Sequence, residues 1–250
     1  MILVGGATAS GKSGLALALA EAFGGRVINA DSMQVYRDLR ILTARPGPED
    51  EARAPHRLYG VLDGAELCSA ARWRDMAAAE IVAARGAGAV PILVGGTGLY
   101  FRALTRGLAE VPPIPEEVRR QARALHRELG GAAFHYLLAE RDPEAAARLA
   151  PGDTQRMLRA YEVIVATGTT LGEWQRRGTA GAIAGPRLEL VVLPPRAALY
   201  AACDARFAAM LEAGAEDEVR ALLARRLDPA LPIMKAVGVR EIAAGLAGEI

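Results

Sequence analysis

Apolar and polar positions in the first hundred residues switch between two periods. Ile2-Leu3-Val4 is an unbroken apolar run ending on glycine, which predicts a short buried strand. From Ser13 to Phe23 the apolar residues recur at helical spacing, with Leu15, Leu19 and Ala22 expected on the buried face and Gly24-Gly25 as the stop. Val27 to Ala30 predicts a second strand ending at Asp31, followed by a loop holding Pro46, Pro48 and Pro55. Ser69 reads as the N-cap of a helix reaching about Arg85, and Val90 to Val94 as a third strand running into Gly95-Gly96-Thr97-Gly98. Strands alternating with helices predict a parallel sheet that binds its ligands at the strand C-terminal ends.

The texture changes near Val111. Pro112, Pro113 and Pro115 stiffen the chain, and Glu116 to about Gly178 then keeps helical spacing without a strand signal. Asp153 is the expected N-cap of a helix ended by Gly168, with Leu158, Tyr161 and Val165 as its buried stripe. After the glycine-rich stretch from Gly178 to Gly185, Leu188 to Leu193 predicts another strand, and a helix follows from about Ala197 to Ala213. The expected fold is α/β: a P-loop NTPase-like parallel-sheet core over residues 1–110 and 185–250, carrying an inserted, mostly helical domain over residues 111–184.

Composition narrows the options. With 30 basic and 29 acidic residues the formal charge is +1, so no global field draws the chain to nucleic acid, and any RNA contact must come from local patches. Cys68 and Cys203, far apart, offer neither a disulfide framework nor a metal cluster and are expected to pack as small apolar residues. The N-terminal residues lack the basic region and cleavage site of a signal peptide, and no stretch stays apolar long enough to span a membrane. A cytoplasmic, monomeric protein without a membrane partner is the expectation.

Gly6-Ala7-Thr8-Ala9-Ser10-Gly11-Lys12-Ser13 fits G-x-x-x-x-G-K-[ST], with a strand before it and a helix after it. The glycines let backbone N–H groups curl inward around phosphate oxygens, and the helix dipole adds to their pull. Lys12 supplies a point charge, and Ser13 is placed to hold Mg²⁺. Such a loop alone does not say what happens to the phosphate. Most P-loop proteins carry a second magnesium-holding acid after an apolar strand. Here the third strand ends on Gly-Gly-Thr, and the acid at a strand end is Asp31. By position alone Asp31 is equally a loop acid or a helix cap, and a small-molecule kinase using ATP stays open as an alternative.

Further segments carry a resemblance. Asp31-Ser32-Met33-Gln34-Val35-Tyr36 and Thr43-Ala44-Arg45-Pro46 follow the P-loop. Then come Pro55-His56-Arg57-Leu58, Gly95-Gly96-Thr97-Gly98-Leu99-Tyr100, Gln155-Arg156-Met157-Leu158-Arg159, Arg206-Phe207 and Lys235-Ala236-Val237-Gly238-Val239-Arg240. In this order the blocks span nearly the whole chain, which resembles the tRNA dimethylallyltransferases. Ala7, Arg45 and Val239 depart from that family's usual Pro, Lys and Tyr.

The resemblance implies transfer of a dimethylallyl group from dimethylallyl diphosphate to N6 of adenosine 37 in tRNA, releasing diphosphate. The P-loop would then cradle a leaving diphosphate, with Mg²⁺, Lys12 and Arg206 stabilising its charge. It implies that Asp31 is the general base on the adenine amine, and that Thr97 touches the displaced nucleotide. It also implies tRNA contacts from Asp31 to Gln34, from Arg119, from Gln155 to Arg159 and from Lys235 to Arg240, with the inserted domain on the anticodon arm. His126 and His135 are expected to be surface or satisfied histidines, His56 is assigned no chemistry, and Trp73 and Trp174 are expected to serve packing.

Overall fold

The computed structural model describes residues 1–249. The chain divides into two compact units, Met1–Thr105 with Ile183–Ile250, and Arg106–Ala182.

The first unit is built on a five-stranded parallel sheet. Its strands are β1 (Ile2–Gly6), β2 (Gly25–Asn29), β3 (His56–Arg57), β4 (Val90–Gly95) and β5 (Leu188–Val192), in the order β3-β2-β4-β1-β5. Side chains along the central strands alternate between two cores, as a period of two requires. Leu3, Ile28 and Leu93 face a cluster with Trp73, Ile81, Val219 and Ile242. Val4, Val27, Ile92 and Val94 face a second cluster with Ala16, Leu17 and Ala20.

The second cluster corrects the expected face of α1 (Lys12–Phe23). Ala16, Leu17 and Ala20 are buried, whereas Leu15 is 37% exposed and Ala22 lies in solvent. The reason is close packing. A Cβ built on Gly25 would come within 3.0 Å of the Ala20 Cα and 2.5 Å of Ile92 Cδ1. Helix and sheet meet most closely at Ala20, where a larger side chain has no room, and Ala16 and Leu17 complete the inner face.

The proline-bearing loop contains α2 (Pro48–Arg53) and β3, and α3 (Ala70–Gly86) follows with Ser69 as its cap, accepting Arg72 N–H at 3.1 Å. The glycines after β4 open directly into α4 (Gly98–Arg106). Beyond β5 come α9 (Arg196–Glu212), α10 (Ala215–Ala224), a 3-10 turn over Pro232–Lys235 and α11 (Val239–Ala247).

The second unit is helical, with α5 (Glu116–Arg141), α6 (Pro143–Arg148), α7 (Thr154–Thr167) and α8 (Leu171–Arg176). Gly130, at φ 74°, breaks α5 into two runs. Phe134, Leu138, Ala146, Met157, Ala160 and Tyr161 form the core. Here the expected stripe of α7 is corrected: Tyr161 is buried, but Leu158 is only partly so and Val165 is 40% exposed. The buried positions 157, 160 and 161 follow the i, i+3, i+4 rule one residue earlier. Asp153 precedes α7, but its carboxylate accepts from Arg156 at 3.1 Å and caps no helix N–H.

Candidate active site

Four segments of the first unit reach the carboxyl ends of parallel strands. The first is the glycine loop between β1 and α1. Ala9 (φ 59°) and Gly11 (φ 89°) adopt left-handed backbone that turns the loop over itself. At Gly6 a Cβ would lie 2.7 Å from Ser10 Oγ and 2.9 Å from Val192 O, so only glycine fits between the loop and β5. The first α1 hydrogen bond runs from Leu15 N–H to Gly11 O at 3.1 Å. The N–H groups of Lys12, Ser13 and Gly14 precede it and face out of the helix end. Lys12 Nζ donates back to Ala7 O at 3.1 Å, across its own loop.

Asp31 stands at the end of β2, two residues beyond a fully buried Asn29. Its Oδ1 accepts Met33 N–H at 2.9 Å and Gln34 N–H at 3.4 Å, a tight turn closed by its own side chain. Oδ2 accepts no hydrogen bond among the described residues and lies 3.8 Å from where a Gly96 Cβ would stand. The ends of β2 and β4 are pressed together, since a Cβ on Gly95 would overlap Ala30 O at 2.1 Å. Thr97 then bridges them: its N–H donates to Ala30 O at 3.3 Å, and its Oγ1 accepts Ser32 N–H at 3.0 Å. The Thr97 hydroxyl hydrogen is left to donate elsewhere.

The fourth segment is α9. Cys203 Sγ approaches Thr8 O at 3.9 Å, setting this helix against the glycine loop. Arg206, one turn on, has no ion pair or hydrogen bond among the described residues. Burial pushes the Lys12 ammonium below its ordinary value; the Asp31 carboxylate opposes this and the Arg206 guanidinium adds to it. Asp31 and Arg206 therefore both act on the Lys12 ammonium.

Metal-binding capacity is limited to oxygen donors. No group of three His, Cys, Asp or Glu is spaced for a metal among the described residues. Ser13 is exposed, and its hydroxyl has no partner among the described residues. One hydroxyl beside a phosphate cradle fits Mg²⁺, which takes few protein ligands and fills its shell with phosphate oxygens and water.

Other sequence-predicted residues fall into two groups. Ser32, Met33 and Gln34 are half-buried beside Asp31, and Gln34 Nε2 is spent on Thr43 O at 2.8 Å and Ala44 O at 3.0 Å. Lys235, Val237 and Arg240 are exposed, but Ala236 is 5% and Val239 1% exposed. In the second unit Gln155 and Arg156 are exposed, Leu158 and Arg159 half-buried, and Met157 fully buried. Met157, Ala236 and Val239, within the segments expected to contact tRNA, turn their side chains into cores. Arg119 forms an ion pair with Glu116 at 3.8 Å. His135 Nε2 lies 2.9 Å from both Ala146 O and Leu149 O, a satisfied histidine.

Sequence patterns missed two residues. Glu218 on α10 accepts three consecutive N–H groups, from Arg40, Ile41 and Leu42. Asn29 binds both backbone groups of Asp31. An amide inside the apolar run Val27-Ile28-Asn29-Ala30 was the available signal for the second. Nothing local marked Glu218, which acts on a segment far away in sequence.

The chain is similar to known proteins over its whole length. The family model described as IPP transferase matches residues 34–250. The tRNA dimethylallyltransferase of Rhodospirillum centenum is 61% identical over 251 residues, covering 100% of this chain and 80% of the relative. That of Rhodospirillum rubrum is 60% identical, covering 100% of this chain and 77% of the relative. Among solved structures, the tRNA delta(2)-isopentenylpyrophosphate transferase of Staphylococcus epidermidis is 31% identical with a TM-score of 0.66, covering 100% of this chain and 81% of its own. A eukaryotic dimethylallyltransferase acting on tRNA is 26% identical with a TM-score of 0.82, covering 100% of this chain and 63% of its own.

Proposed function

This chain belongs to the IPP transferase family, and from that membership and the site we propose that it transfers a dimethylallyl group from dimethylallyl diphosphate to N6 of adenosine 37 in tRNA. The observation that supports the reading is the glycine loop set beside Asp31: a Cβ on Gly96 would lie 3.6 Å from Gly6 O and 3.8 Å from Asp31 Oδ2. An allylic C–O bond breaks by leaving its electron pair on diphosphate. Loop N–H groups, Lys12 and Arg206 meet that charge as it develops, in a fixed arrangement that needs no reorganisation.

The adenine amine is a weak nucleophile until it loses a proton. The adenosine leaves its stack, and N6 donates a hydrogen bond to Asp31 Oδ2, the oxygen without a partner. As the new C–N bond forms at the allylic carbon, the proton passes from N6 to Oδ2. The Thr97 hydroxyl, already accepting from Ser32, donates to the displaced nucleotide. Ser13 would hold Mg²⁺, which supplies further charge neutralisation on the diphosphate when bound. Arg119, Gln155, Arg156 and Arg159 offer a polar surface to the tRNA.

The test is incubation with labelled dimethylallyl diphosphate, Mg²⁺ and unmodified tRNA. The expected result is label in the RNA at one adenosine, with wild-type turnover falling about 10²-fold or more in Asp31→Ala. ATP-dependent phosphorylation of a small molecule without labelled RNA would instead identify a kinase.

A further inference from the structure

Asp31 does not hold its own position. The Asn29 side chain lies wholly inside the first unit, 0% exposed, and spends its hydrogen-bonding groups on two residues. Its Oδ1 accepts Asp31 N–H at 2.8 Å, and its Nδ2 donates to Asp31 O at 3.0 Å. One buried amide thus grips both backbone polar groups of Asp31. The second Nδ2 hydrogen goes to Leu58 O at 3.1 Å.

Leu58 is itself unusual. It is a buried leucine at φ 64°, a left-handed conformation that costs a branched residue free energy. That turn presents its carbonyl to Asn29. The Asn29 carbonyl in turn accepts Trp73 Nε1–H at 2.9 Å, from a tryptophan that is 0% exposed on α3. The Asn29 backbone is therefore anchored from behind by the core, while its side-chain amide reaches forward only to Asp31 and Leu58.

We propose that Asn29 is the positioning residue of the reaction: its buried amide clamps the Asp31 backbone so that Oδ2, and not Oδ1, is presented to the incoming amine. The clamp fixes the Asp31 backbone torsions, and the Met33 and Gln34 N–H groups fix the carboxylate through Oδ1. Two independent anchors leave one oxygen with one direction. A side chain without both a donor and an acceptor cannot do this. Aspartate at position 29 would turn an oxygen toward two carbonyls, and alanine would orphan three buried groups.

The inference rests on Asp31 acting as the base, and a double-mutant cycle separates the two ideas. Wild type, Asn29→Ala, Asp31→Ala and the double variant are compared by kcat, by KM and by pyrophosphate-binding stoichiometry, with kcat expressed per competent site. Asn29→Ala is expected to lower per-site kcat about 10- to 100-fold, the scale of a misplaced catalytic group, with pyrophosphate affinity within about threefold. In the Asp31→Ala background the same change is expected to alter kcat by less than about twofold. If Asn29→Ala does not fold, Asn29→Ser keeps one hydroxyl for the clamp, and a loss of about 3- to 10-fold is expected. Loss of binding stoichiometry with unchanged per-site kcat would make Asn29 a structural residue only and overturn the proposal. An equal kcat loss with and without Asp31 would also overturn it while leaving Asp31 as base. Full turnover in Asp31→Ala would overturn the base assignment, and the clamp's role with it.

Discussion

Lys12 carries a cost to folding that the proposed binding of diphosphate would offset. Burial pushes its ammonium below the ordinary lysine value, Asp31 pulls it up, and Arg206 pushes it down again. A group whose pKa is lower folded than unfolded binds fewer protons in the native state through the window between the two values. Stability therefore rises with pH across that alkaline window and is diminished below it, throughout the neutral range. The free protein carries this cost, and a bound diphosphate removes it by supplying the missing anion. Lys12→Met is thus expected to raise the Tm of the ligand-free protein while lowering kcat about 10²-fold or more. Thermal scans with and without pyrophosphate check this. Wild type gains about 2.7 kcal/mol at a ligand concentration 100 times Kd, and Lys12→Met is expected to lose most of that gain. A variant less stable than wild type without ligand would contradict the argument.

Between elements, the loop carrying the candidate base is held by a helix from the far end of the chain. The Glu218 carboxylate on α10 accepts N–H from Ile41 and Leu42 at 2.9 Å each, and from Arg40. Arg225, just past α10, joins Asp38 and pairs with Asp63 at 2.6 Å. Glu218→Ala leaves three backbone donors without a partner, at about 1–3 kcal/mol. A Tm lower by about 2–10 °C is expected, together with a raised KM for tRNA, since Ser32 to Gln34 lead into this loop. An unchanged Tm would show that water replaces the carboxylate without loss. This tie also marks where sequence reading stopped. The strands, α1 and the glycine loop were legible because their signals are local: an apolar run, a period, a glycine spacing. Asp31, Thr97 and Arg206 were legible only through the order of several short blocks. The inner face of α1 was misread because Gly25 demands a small neighbour, a requirement visible only once the helix lies on the sheet. The Glu218 nest and the Asn29 clamp join residues through the fold, so no window along the chain displays them.

For the molecule as a whole, a net charge of +1 means that tRNA cannot be drawn in by a general field, and its affinity must be local. The helical unit shows how its cations differ. Arg156 is 75% exposed at its side chain and paired within its own turn to Asp153 at 3.1 Å. Arg159 is half-buried: burial lowers its value, Glu162 raises it and Arg119 lowers it. The Glu162 carboxyl is pushed up by burial and down by Arg119, Arg159 and Arg123. Glu116, paired with Arg119 and Arg123, also acts on Glu162, so these groups form a partly desolvated set of three arginines and two acids; on the proposed function Arg159 would meet an RNA phosphate with little ordering left to do. Arg159→Ala is expected to reduce the slope of log affinity against log salt for tRNA by about 0.7–1, the loss of one phosphate contact. Arg156→Ala, which frees Asp153 as it removes a mobile cation, is expected to change the slope less. Pyrophosphate affinity, set in the other unit, is expected to stay constant in both variants. Equal slopes for wild type and Arg159→Ala would move the RNA-binding surface away from this face of α7.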